Sequence, residues 1–99
     1  MLNVKKESDG NILTMSLAGR LDVASSPELK KLLDESLDGV ERLVMDFTEL
    51  EYTSSAGLRV LLEAYKTMTD RGGMSIKNVN ETVKKVFDSV GFSRFMKLE

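Results

Sequence analysis

The polar chemistry of this chain is concentrated in six residues near its middle, Thr53-Ser54-Ser55-Ala56-Gly57-Leu58. They stand just before an apolar stripe at helical spacing (Leu58, Leu61, Leu62, Tyr65 and Met68), so the hydroxyls fall at the start of a helix. Unpaired backbone N–H groups and the positive end of the helix dipole favour an anion there. A phosphoryl group on a serine at this place would meet a favourable field. Gly57 lets the backbone be approached closely, and Ala56 adds no bulk beside it. The same residues fit a plain N-cap, in which a hydroxyl accepts from an amide further along the helix and contributes about 1 kcal/mol. Spacing alone favours this capping reading over a functional site.

The chain has no His and no Cys among its 99 residues. That removes the commonest general base, the commonest metal ligand, thiolate nucleophiles and disulfides. Catalytic residues, a metal and a cofactor are therefore not expected. The enzymatic alternative uses Ser54 or Ser55 as nucleophile with Lys66 or Asp22 as helper, but Lys66 lies nearly three turns along the helix and does not easily reach. The Gly-rich loop of nucleotide binders is missing. A net charge of −2, with Lys and Arg interspersed among Asp and Glu, argues against nucleic acid as a partner. No apolar run is long enough to span a bilayer, and Met1 to Lys6 lack the apolar centre of a signal peptide, so no membrane is expected and the cytoplasm is the expected address.

These residues need a scaffold, and the pattern implies one α/β domain over residues 1–99. Met1 to Lys6 and Ile12 to Ala18 alternate as strands around turn chemistry at Ser8-Asp9-Gly10-Asn11, which predicts a hairpin. Gly19 to Ala24 is read as a connection. Ser25-Ser26-Pro27-Glu28 starts a helix, with Ser26 able to cap it and Ser25 and Glu28 at capping-box spacing; Leu29, Leu32, Leu33 and Leu37 carry it to Asp38-Gly39. Val40 to Phe47 suits a central strand covered on both faces, and Thr48 to Tyr52 a loop or short turn. The second helix is expected over Ser55 to Arg71, with Arg59 and Glu63 at ion-pair spacing, and Gly72-Gly73 ends it. A strand over Met74 to Lys77 follows. A third helix is capped by Asn78 or Asn80, with Val83, Val86, Phe87 and Val90 inward. Phe95, Met96 and Leu98 pack or form a last strand. The expected architecture is thus a mixed sheet of four to five strands with three to four helices.

Asp46-Phe47-Thr48 and Tyr52-Thr53-Ser54-Ser55-Ala56-Gly57-Leu58-Arg59-Val60-Leu61-Leu62 resemble the signature of bacterial STAS domains, specifically anti-sigma-factor antagonists. Gly19-Arg20-Leu21-Asp22 resembles that family's Gly-x-Leu-Asp turn, and Val83-Lys84-Lys85-Val86-Phe87 with Gly91-Phe92 its third helix and following turn. The resemblance implies a phosphoacceptor two residues before the motif glycine, which is Ser55. It implies that Asp22, beside the acceptor, joins Ser54, Ser55, Ala56, Gly57 and Arg59 in a partner-binding surface. The implied partners are a serine-kinase anti-sigma factor, bound by the unphosphorylated form so that a sigma factor is freed, and a metal-dependent phosphatase of the PP2C type that resets the switch. Many members carry Asp before the acceptor and Ser or Thr after it. Here Ser54 and Ala56 stand in those places, so Ser54 is a second candidate acceptor. A STAS module in another partner-switching or scaffold system, or a small subunit of a lipid-transport complex, is the alternative within the same resemblance.

Overall fold

The computed structural model describes residues 2–94 and 97–98. The order of elements is β1 (Leu2–Asp9), β2 (Ile12–Leu21), α1 (Ser26–Ser36), β3 (Arg42–Thr53), α2 (Ser55–Thr69), β4 (Met74–Lys77), α3 (Glu81–Ser89), a 3-10 turn (Phe92–Arg94) and β5 (Lys97–Leu98). β1 and β2 form an antiparallel hairpin, and β3, β4 and β5 add in parallel, giving the spatial order β1-β2-β3-β4-β5. Each parallel connection carries one helix. Because the strands follow one another in space and such crossovers are right-handed, the helices come to the same face. The expected mixed α/β sheet is thus realised, with five strands and three α-helices among the described residues. Of the predicted terminal packing residues, Phe95 and Met96 lie outside the described residues.

Alternation explains which face that is. Leu13, Met15 and Leu17 of β2 and Leu43, Met45 and Phe47 of β3 are buried. They meet Leu29 and Leu33 of α1, Leu58, Leu61, Ala64 and Met68 of α2, and Val83 and Phe87 of α3 in one core. Phe87 stands edge-on to both Phe47 and Phe92. On the opposite face Thr14, Ser16, Val44 and Asp46 are only half-buried, so the central strand is covered by helices on one side rather than on both, as had been expected.

Several local expectations change. Gly19 to Leu21 is not a connection, and Thr48 to Tyr52 is not a loop: β2 and β3 remain paired until Leu21 meets Thr53. Between the pairs Ser16–Asp46 and Leu21–Thr53, five steps along β2 are matched by seven along β3, so β3 holds two extra residues at two register shifts. Gly19, with φ 98°, supplies left-handed backbone beside the second shift. Ser26 is not the cap of α1, since the helix begins on it, and the N-cap Ser25 makes no side-chain bond to the helix. Asn80, not Asn78, caps α3: it accepts from the Val83 amide at 2.8 Å and donates to the Leu50 carbonyl at 2.8 Å. Val90 is 59% exposed rather than inward, because α3 has already ended at Ser89. Tyr52 is half-buried, with the Arg20 guanidinium 4.6 Å from its ring centroid.

Candidate functional site

β2 and β3 end side by side, and the chain leaves them into α1 and α2. Ser54 is fixed from both directions. Its amide donates to the Leu21 carbonyl at 2.8 Å, tying the start of α2 to the end of β2. Its side chain accepts from the Gly57 amide at 3.2 Å, and its carbonyl takes the first helical bond from Leu58 at 3.0 Å. Extended backbone at φ −92°, ψ 172° completes an N-cap. Ser55 follows as the first residue of the helix. It is exposed, and among the described residues nothing hydrogen-bonds its hydroxyl. The capping and functional readings are therefore divided between neighbours: Ser54 caps, and Ser55 is free.

Gly57 is buried directly beneath. A Cβ at this position would stand 2.6 Å from Leu21 Cγ and 2.6 Å from Thr53 Oγ1, well inside van der Waals contact. The close approach that Gly57 permits is thus made by this chain's own β2 and β3 ends. Ala56 is half-buried and Arg59 exposed, so Ser55, Ala56 and Arg59 supply outer surface while Gly57 sets its height from below.

Asp22 belongs to a reciprocal lock. Its carboxylate accepts from the Ser25 amide at 2.9 Å, and the Ser25 hydroxyl accepts from the Asp22 amide at 2.9 Å. The pair exchanges bonds as a capping box does, but closes the turn that leads into α1 and not the first turn of the helix, where the expected Ser25–Glu28 box is not made. The Ser25 hydroxyl also lies 2.9 Å from the Arg20 carbonyl, and Ser26 donates to the Asp22 carbonyl. The backbone bond from Ser25, then its hydroxyl, hold the Asp22 carboxyl below the usual carboxylate range. A carboxylate whose folded pKa is depressed contributes stability above its unfolded pKa and loses it as pH falls through the folded value. The loss from pH 7 to pH 3 should accordingly be smaller in Asp22→Asn than in wild type, read as urea midpoints at the two pH values. Equal losses would mean that the lock does not favour the ionised form. Asp46 is held below the usual range too: burial pushes it up, but bonds from Asn78 and from the Thr48 hydroxyl and amide outweigh this. It staples β3 and the β4–α3 connection and lies away from the α2 start.

Leu21 and the Arg20–Tyr52 stack carry no role in the sequence reading, and Ser25 is read there only as the partner of Glu28. The Asp22-x-x-Ser25 spacing was a visible signal, hidden by the stronger-looking Ser-Pro-Glu start beside it. Val23, in the same connection, is 72% exposed. Glu63 pairs not with Arg59 but across to Lys30 of α1 at 3.7 Å, and Lys30 also meets Asp34 at 3.1 Å. No described helix is long and apolar enough to cross a membrane.

The division of labour between the two serines gives a first quantitative expectation. Ser54→Ala should cost about 1 kcal/mol, the usual loss of an N-cap. Ser55→Ala should stay within about 0.5 kcal/mol of wild type, as exposed positions do. Chemical denaturation of both variants checks this, and equal costs would contradict the assignment.

Comparison with known proteins identifies the fold and the family. The STAS domain family model matches residues 3–99. The anti-sigma F factor antagonist of Paenibacillus polymyxa is 30% identical over 98 residues, spanning 96% of this chain and 84% of the relative. An anti-sigma factor antagonist from Mycobacterium paratuberculosis superimposes with a TM-score of 0.89 at 19% identity, over 99% of this chain and 85% of that one. The antagonist SpoIIAA in its unphosphorylated form does so with a TM-score of 0.82 at 21% identity, over 98% of this chain and 88% of that one. SpoIIAA has also been solved in a phosphorylated form, with a TM-score of 0.75 at 19% identity over 98% of this chain and 91% of that one.

Proposed function

This chain belongs to the STAS domain family, and from that premise we propose that it is an anti-sigma-factor antagonist switched by phosphorylation of Ser55. In this reading the unmodified chain binds a serine-kinase anti-sigma factor through Asp22, Ser54, Ser55, Ala56 and Arg59, with Gly57 seating that surface from beneath. The anti-sigma factor then lets go of its sigma factor. Phosphorylation ends the association, and a PP2C-type phosphatase restores it. The chain acts by binding, not by catalysis, and the cytoplasm is its expected place of work.

The observation that carries the reading is the exposed and unbonded Ser55 hydroxyl beside a neighbour whose hydroxyl is already used as the cap. A kinase can reach the first without dismantling the helix start, whereas modifying Ser54 would remove the acceptor for the Gly57 amide. Phosphorylation adds about −1.5 to −2 charges and three acceptor oxygens. At the first helical position the fold tolerates that charge, and α2 has no acidic residue in its first turn to oppose it. A partner docked on the same surface meets both charge and bulk. The strand order never reverses among the described strands, so the sheet has no topological switch point of the kind that holds small ligands; a macromolecular partner suits this end better.

The test is incubation with the cognate serine kinase and ATP, followed by mapping of the modified residue by mass spectrometry. Modification of Ser55 is expected. Modification of Ser54, or of a residue away from the α2 start, would overturn the assignment.

A further inference from the structure

Arg59 lies four residues after Ser55 on α2, and residues at this spacing share one helix face and stand within reach of each other. Both are exposed. Arg59 makes no ion pair or hydrogen bond among the described residues. Its other neighbour at helical spacing, Glu63, is turned away to Lys30 of α1 at 3.7 Å, and Lys30 is further held by Asp34. The carboxylate best placed to occupy Arg59 is therefore drawn elsewhere. The backbone donors of the first turn are partly used as well, since the Gly57 amide is taken by Ser54.

We propose that Arg59 is the intrachain counter-charge of the switch: once Ser55 carries a phosphate, the guanidinium swings back one turn and pairs with it. This rests on the reading of Ser55 as the acceptor. The arrangement has the favourable polarity, with the anion toward the helix N-terminus and the cation toward its C-terminus. Arginine suits the role better than lysine, because its planar fork meets two phosphate oxygens at once. One group then has two positions. In the unmodified chain Arg59 projects from the partner-binding surface; in the phosphorylated chain it folds onto its own helix. Phosphorylation would thus change that surface twice, adding an anion and withdrawing a cation.

Charged residues on or beside the paired ends of β2 and β3 include Arg20, Asp22 and Glu51. Arg20 lies over Tyr52, and Asp22 is bonded to Ser25. They stay constant in the comparison that tests the pairing. Phosphoserine is placed at position 55 by genetic encoding, and the second ionisation of the phosphate is followed by phosphorus NMR against pH in otherwise wild-type, Arg59→Lys and Arg59→Gln chains. An ion pair favours the dianion, so the midpoint should be lowest with Arg59 and higher by roughly 0.3 pH unit in Arg59→Gln, with Arg59→Lys between them. The difference should shrink in 1 M salt. Identical midpoints in wild type and Arg59→Gln would overturn the pairing. Because the phosphate is installed without a kinase, that failure would leave the assignment of Ser55 as acceptor untouched, and kinase mapping tests the acceptor separately.

Discussion

Gly57→Ala is expected to destabilise this domain by about 1–3 kcal/mol, although alanine is the better helix former. Helix propensity would favour the substitution by up to about 1 kcal/mol. The added methyl would have to sit 2.6 Å from Leu21 Cγ and from Thr53 Oγ1, and forcing extra volume into packed surroundings costs about 1–3 kcal/mol. Neither neighbour yields freely. Leu21 and Thr53 are fully buried, and each sits at the paired end of its strand. Gly57→Val should cost more, since it adds two further carbons in the same space. For a domain of this size each kcal/mol corresponds to about 4–8 °C in Tm, so thermal melting resolves the effect. An alanine variant as stable as wild type would mean that the α2 start is not seated on the ends of β2 and β3 as described.

The second large effect concerns binding. Ser55→Asp should lower affinity for the anti-sigma factor by at least about 30-fold, since an uncompensated charge in an interface costs roughly 2–5 kcal/mol. Its Tm should move by no more than a few degrees, because Ser55 is exposed at the first turn, where an acid is favourable. Ser55→Ala removes the hydroxyl without adding charge and should keep most of the affinity. Calorimetric titration with the anti-sigma factor, alongside melting curves, separates the two quantities. A large fall in Tm with affinity retained would contradict the proposal, because charge at Ser55 would then be acting on the fold and not on the interface.

Much of this arrangement is legible in the amino-acid sequence. The leucine stripe after Ser55 and the alternation of Leu13, Met15 and Leu17 are strong local signals, and they became α2 and β2 as expected. What escaped did so for identifiable reasons. The second half of β3 hides its strand character because the extra residues break the alternation: Phe47, Leu50 and Thr53 are buried three apart. Only pairing with β2, a contact across some thirty residues of sequence, makes that segment a strand. The same pairing carries β2 through Leu21 and brings Asp22 beside the α2 start. Val90 continued an apolar period that the backbone abandons one residue earlier. The split between Ser54 and Ser55 was likewise beyond local pattern, since two adjacent hydroxyls look alike until the Leu21 carbonyl and Gly57 amide claim the first.

In the proposed switch an unmodified Ser55 permits, and a phosphorylated Ser55 prevents, displacement of a sigma factor from its anti-sigma factor. It is tested most directly by adding this chain, unmodified or carrying phosphoserine at position 55, to the preformed complex of the cognate pair and measuring the free sigma factor. The unmodified chain should release sigma in proportion to the amount added, and the phosphorylated chain should release little. Equal release by both forms, or none by the unmodified chain, would contradict the account.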